Sequence, residues 1–339
     1  MGGTVGMRQM ARMRRGATTA ALLAAAVTGS LVTGCTVGGV DDGRGGRQSP
    51  SASASHGDEE SPAPSPASAG SVLAVKIDNV PAARPQTGLE AADIVYAEQV
   101  EGGLSRLMAV YATRLPEAVG PVRSARESDL ELLRQFDEPT LAFSGAQHKL
   151  LPLIDKAPLH ARSPEEASGD AYYRGARKPS PHNLYLRPRK LVAKAPGSAA
   201  LTTGFRFGPA PAGGSPETSR TVRFPSARFT FSWSADRAGW LVDMDGTRTV
   251  STDDRTIAPP TVVVQYVKIR ESRFHDVLGN NTPFTQTVGS GTAKVLRDGR
   301  VFEANWARPT AADGTEFTTP NGAPMNFAKG QVWVVFAKA

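Results

Sequence analysis

Short apolar runs, each closed by glycine, proline or an Asp-Gly or Asn-Gly pair, recur from residue 71 to the end of this 339-residue chain and constrain its fold more than any other feature. Such runs, rich in β-branched residues, read as strands, and the dipeptides supply the positive φ that tight hairpins need. From Thr221 onward the pattern is continuous. TVRFPSARFTFSW, GWLVDMDG, TVVVQYVKI, GTAKVLRDG, RVFEANW and GQVWVVFAK are separated by turn signals at Asp245-Gly246, Asp298-Gly299, Asp313-Gly314 and Asn321-Gly322. This predicts a mostly antiparallel β C-terminal domain over residues 220–339.

Upstream the runs alternate with helical patterns. SVLAVKID (71–78), IVYAEQV (94–100) and LSRLMAVYAT (104–113) read as core strands, with Gly102 and Gly103 turning the second into the third. SARESDLELLRQFD reads as a helix with Ser124 at its N-cap, Glu127 as capping-box partner, and Leu130, Leu133 and Phe136 on one face. A second strand and helix follow in TLAFSG and AQHKLLPLIDK, where Pro152 is expected to kink or break the helix. The fold class is therefore α+β: a mixed α/β N-terminal domain over residues 71–213, then the β domain. The Pro, Gly and Ser content of GPAPAGGSPETS (208–219) marks the boundary.

Residues 1–34 read as an export signal, since Arg8, Arg12, Arg14 and Arg15 precede an alanine-rich apolar run with no acidic residue. The run ends in Leu31-Val32-Thr33-Gly34-Cys35, which looks like a lipobox, the site at which bacterial lipoproteins are lipidated on cysteine. Cys35 is the only cysteine, so no internal disulfide supports the fold. Residues 35–70 then form a Ser, Pro and Ala tether that cannot bury apolar surface and in which His56 is a solvated residue. These features place the protein at the outer face of the bacterial cytoplasmic membrane, held by lipid. The formal charge of +7 includes the four signal arginines, so it gives no case for a nucleic-acid partner. Between Ala171 and Pro216, however, eight Lys or Arg stand with no Asp or Glu, which predicts a local basic surface.

KIDNVPAARPQTGLEAADIVYAEQVEGGLSRLMAVY (76–111), GPVRSAR (120–126), RKPSPHNLY (177–185) and GSGTAKVLRDGRVFEANW with GQVWVVF together resemble the YerB-like family of two-domain bacterial lipoproteins. The resemblance spans nearly all of the chain beyond the tether. It implies a lipid-anchored envelope protein of two domains, and brings no activity, substrate or catalytic residue with it.

The motifs themselves suggest an anion site. Arg123, Ser124 and Arg126 stand at a predicted helix start, where free N–H groups and the helix dipole favour anions and arginine adds a bidentate fork. Salt bridges from Arg123 and Arg126 to Glu98, Glu101 or Glu127 are the competing expectation. Lys178, His182 and Asn183 sit on a proline-stiffened loop, and Arg84 and Arg106 are further cations. We expect Arg84, Arg106, Arg123, Ser124, Arg126, Lys178, His182 and Asn183 to line a cleft for an anionic cell-wall precursor or polymer. The alternative is an enzyme of cell-wall polymers with Glu98 or Glu101, exposed at a sheet end, and His182 as acid-base pair. A third reading is a scaffold whose Trp306 and Trp333 anchor a partner protein. His148 and His275 lack ligand spacing and read as surface or structural residues. There is no HExxH, CxxC, Walker or GxSxG motif, and we expect no metal and no cofactor.

Overall fold

Three strands form where the first apolar runs predict them: β1 (Leu73–Asp78), β2 (Ile94–Gln99) and β3 (Ser105–Tyr111). The computed structural model describes residues 70–167, 169–276 and 279–339, all within one compact unit, Pro62–Ala339. The expectations for the export signal, Cys35 and the tether up to residue 69 lie outside the described residues. Gly102 and Gly103 turn β2 into β3 with φ of 66° and 69°, as the left-handed region requires. At Gly103 a side chain has no room, because a Cβ there would lie 2.5 Å from Pro225.

Helix α1 spans Glu127–Leu133, and its N-cap is Arg126 rather than Ser124. Asp129 takes the capping-box role, its Oδ2 accepting the Arg126 backbone N–H at 2.7 Å. The capping box therefore lies two residues beyond the Ser124–Glu127 spacing, because the backbone N–H groups of Val122, Arg123 and Ala125 bond to Leu184, Lys76 and Gly145 of other segments. The second helix, α2 (Leu151–Asp155), carries Pro152 in its first turn instead of breaking there. Proline is tolerated in a first turn, where its missing N–H has no intrahelical acceptor. Strands β4 (Thr140–Ala142) and β5 (His160–Arg162) add to the sheet in parallel beside β1.

The C-terminal half is β-rich, as its turn signals predict. Asp298-Gly299 joins Gly289–Arg297 to Arg300–Arg308 through a two-residue turn with both φ positive. Both halves meet in one eleven-stranded mixed sheet, and the last strand, Val332–Lys338, is its joint. That strand runs parallel to β2 on one side, Ile94 opposite Val332, and parallel to Thr261–Val267 on the other. Its sequence, VWVVFA, is apolar without alternation because both of its faces are covered.

One face carries Val75, Val95, Trp333 and Val335 against Phe229, Phe231 and Trp240 of a four-stranded antiparallel sheet starting at Ser219. The opposite face carries Tyr96, Met108, Val334 and Phe336 against Leu132, Leu133 and Phe136 of and after α1. The fold is thus α+β, with a β-rich C-terminal part and a helix layer on one side only.

Candidate functional site

On the α1 side of the sheet, three strands contribute charged residues where apolar ones would be expected. Lys76 and Asp78 alternate with Val75 and Ile77 on β1, and the antiparallel register sets Arg106 opposite both Asp78 and Glu98. Lys76 is fully buried and bonds to Glu98 and, at 2.7 Å, to Asp129 at the base of α1. Ser128 Oγ donates to the second oxygen of Glu98 at 3.0 Å. Glu98 is therefore interior and fully occupied, not exposed at a sheet end as its sequence position suggested. Burial pushes the Lys76 ammonium down to about 8 against the pull of Asp129. This network seats the start of α1 on the sheet.

Above it lie the arginines. Arg126 closes a fork on Glu101, Nε to Oε1 at 2.5 Å and Nη2 to Oε2 at 2.9 Å, and Thr282 Oγ1 adds a 2.6 Å bond to the same carboxylate. Burial raises the Glu101 carboxyl, but the Arg126 fork outweighs it and holds the group below the usual carboxylate range. Arg123 Nε lies 3.2 Å from Oδ2 of buried Asp78, out of line for a hydrogen bond, and the same oxygen meets His182 Nδ1 at 2.8 Å. The salt-bridge expectation thus holds for Arg126 with Glu101, while Arg123 turns to Asp78, which was not foreseen. The helix-start argument for anions fails, since α1 has seven residues and Glu127 and Asp129 already fill its first turn.

Arg106 differs from its neighbours. It is half-buried, and its one hydrogen bond among the described residues is from Nη1 to the Ser124 carbonyl at 3.3 Å. No carboxylate of the described residues lies within ion-pair distance of it. Burial first, then Arg126, pushes its guanidinium down to about 9, which leaves it charged at neutral pH.

Two clefts share the wall made by Arg123 and Ser124. The first, about 480 Å³, runs from the β2–β3 turn across the start of α1 to Phe274–Asp276, Asn280 and Thr282, and is lined by Glu101, Arg106, Arg126 and Glu127 as well. The second, about 610 Å³, continues past Ser144, whose Oγ is 3.5 Å from Ser124 Oγ, to Tyr172–Arg174. Of the expected cleft residues, the structure brings together Arg106, Arg123, Ser124 and Arg126, with His182 behind them through Asp78. It separates the others. Arg84 pairs with Asp245 at 2.7 Å and bonds to Asn79 and the Met244 carbonyl, clamping the two halves. Lys178 donates to the Ala83 and Pro85 carbonyls, and Asn183 bridges Arg174 and the Gly175 carbonyl.

The tryptophans are not surface anchors. Trp306 and Trp333 are buried, their indole N–H groups donating to the Tyr266 carbonyl and to Gln331 Oε1. His148 is exposed, and exposed His275 lines the first cleft. Among the described residues no three His, Cys, Asp or Glu side chains are grouped as a metal site. Sequence reasoning missed Asp78, Lys76 and Asp129. The signal for the first two was present, because two charges on one face of an otherwise apolar strand must find buried partners.

A chain with this architecture and cleft is a two-part α+β protein whose halves share one sheet. Residues 59–201 match the N-terminal domain, and residues 220–334 the C-terminal domain, of the family described as "Protein of unknown function (DUF3048)". The chain belongs to that family. It is 25% identical over 269 residues to "Putative lipoprotein YerB" of Bacillus subtilis (strain 168), covering 77% of this chain and 80% of that protein. The crystal structure of the YerB protein from Bacillus subtilis has the same fold, with a TM-score of 0.65 at 21% identity over 79% of this chain and 91% of that one.

Proposed function

We propose that this chain is a lipid-anchored envelope protein, held through Cys35 at the outer face of the cytoplasmic membrane, whose first cleft binds an anionic cell-envelope ligand. The anchor is supported by the lipobox-like Leu31–Cys35 segment and by the lipoprotein name of its relative. The observation that carries the ligand class is Arg106. Arg126 has Glu101 and Arg123 has Asp78 within ion-pair distance, so Arg106 is the arginine of the cleft with a largely unused donor fork, although Glu127 and Asp276 also line the cleft. Ser124 Oγ, whose one hydrogen-bond partner among the described residues is Ser144 Oγ, lines the same cleft as a neutral donor. Phosphates and peptide carboxylates of cell-wall precursors have the matching chemistry.

Thermal stabilisation of the 62–339 unit by such precursors is expected, and Arg106→Gln should abolish it. Unchanged stabilisation in Arg106→Gln would sink the reading. The enzyme alternative keeps one supporting observation, the 2.8 Å contact of His182 Nδ1 with Asp78, which orients an imidazole at the rear of the shared wall. Turnover of a precursor that disappears in His182→Ala would favour it.

A further inference from the structure

The lining of the first cleft combines arginines and the carboxylates Glu101, Glu127 and Asp276 with apolar side chains. Val100, Ala146, Leu150 and Phe274 line it together with the arginines, and Leu150 and Phe274 are buried. Leu104 stands at its lip, 36% exposed, one of two large apolar side chains left exposed among the described residues. It precedes Arg106 by two residues along extended backbone, so the two side chains leave the strand on the same face. A single exposed leucine needs no explanation. One that lines the same cleft as buried Leu150 and Phe274, two residues from a guanidinium without a carboxylate partner, describes a site for two kinds of chemistry at once.

We propose that the ligand is an amphiphilic anion: a phosphate or carboxylate head held by Arg106 and Ser124, with an aliphatic chain laid over Leu104 and onto Leu150 and Phe274. This rests on the anion reading above and narrows it. The cleft's 480 Å³ falls within the range of about 300–1,000 Å³ typical of small-molecule sites, enough for a head and a short chain segment. A free amphiphile and a lipid drawn from a bilayer present the same chemistry.

The test is a calorimetric titration of the detergent-free 62–339 unit, which forms a compact body of its own, with inorganic, methyl, butyl and octyl phosphate below their micelle concentrations. Affinity should rise with chain length by up to about fourfold per buried methylene. Leu104→Asn should flatten that rise, whereas Phe207→Ser, at the other exposed apolar side chain, should not. Equal binding of inorganic and octyl phosphate would overturn the amphiphile and leave the anion site standing. No binding by any member of the series would overturn both. A rise that persists in Leu104→Asn and vanishes in Phe207→Ser would place the chain elsewhere and also overturn the proposal. Once octyl phosphate binds, its displacement by phosphatidic acid vesicles identifies a bilayer lipid as the source, and failure to displace it identifies a free amphiphile.

Discussion

At the scale of single residues, the charged groups beneath the cleft are fixed by one another more than by solvent. Glu101 shows the consequence for pH. Its folded pKa lies below its ordinary 4.5, so as the pH falls the unfolded chain takes up the proton first. The stabilisation it brings is complete above pH 4.5 and is lost as the pH drops through the lower folded value. Glu101→Gln removes the charge and leaves Arg126 half-buried and unmatched, at a cost of about 3 kcal/mol near neutrality, the low end for a buried pair. Urea midpoints measured from pH 7 to pH 3 should therefore show a smaller fall for Glu101→Gln than for the parent. Parallel curves would show that the fork does not hold the carboxylate. The cations of this region were legible in the sequence, because arginine in GPVRSAR and in an apolar strand is conspicuous. Their partners were not, since Asp78 is 45 residues from Arg123 and only the sheet register brings them together.

At the scale of elements, α1 is too short to stand by itself and is held at both ends by other parts of the chain. Lys76 fixes its start through Asp129, and Arg308 of the C-terminal half closes its end. Arg308 is fully buried, donating through Nη2 to the Glu131 carbonyl at 2.8 Å and the Leu132 carbonyl at 3.3 Å, and through Nη1 to Thr287 Oγ1 at 2.8 Å. Glu131 in turn accepts from the backbone N–H groups of Thr287 and Val288. Arg308→Met fills the space but takes the guanidinium donor from the Glu131 carbonyl, at about 1–3 kcal/mol, while the Leu132 carbonyl keeps Gln135 Nε2 as a donor. The expected outcome is a loss of about 1–3 kcal/mol in urea unfolding, with faster hydrogen exchange in 127–133 than in β1. A change below about 0.5 kcal/mol, the size of an ordinary surface substitution, would show that water replaces the guanidinium at no cost. The turns of this fold were legible because Gly102-Gly103 and Asp298-Gly299 act locally. The cap of α1 was not, because the residues that fix it belong to other strands.

At the scale of the whole molecule, the last strand decides whether the halves are separable. Val332–Lys338 lies between β2 of one half and Thr261–Val267 of the other, so neither half has a complete sheet without it. The sequence reads this segment as a strand of a mostly antiparallel domain, but its two parallel neighbours were not legible, because pairing to a strand more than 200 residues away leaves no local trace. Val332, Trp333, Val334, Val335 and Phe336 are all buried to 1% exposure or less. At about 1.5–3 kcal/mol for each buried side chain, their combined burial rivals the net stability of a domain. Removing residues 332–339 should therefore leave no folded protein, and residues 62–213 alone should not fold, because β2 would expose an apolar edge. Trp333→Ala is the milder probe, costing about 3–5 kcal/mol. Because Trp333 packs against Phe229 and Phe231 while its strand pairs with β2, that loss is felt in both halves. Calorimetry of the 62–339 unit should then show one transition that moves to lower temperature without splitting. Two transitions in the parent, with Trp333→Ala shifting only one of them, would mean that the halves fold independently and that the shared sheet is a docking contact.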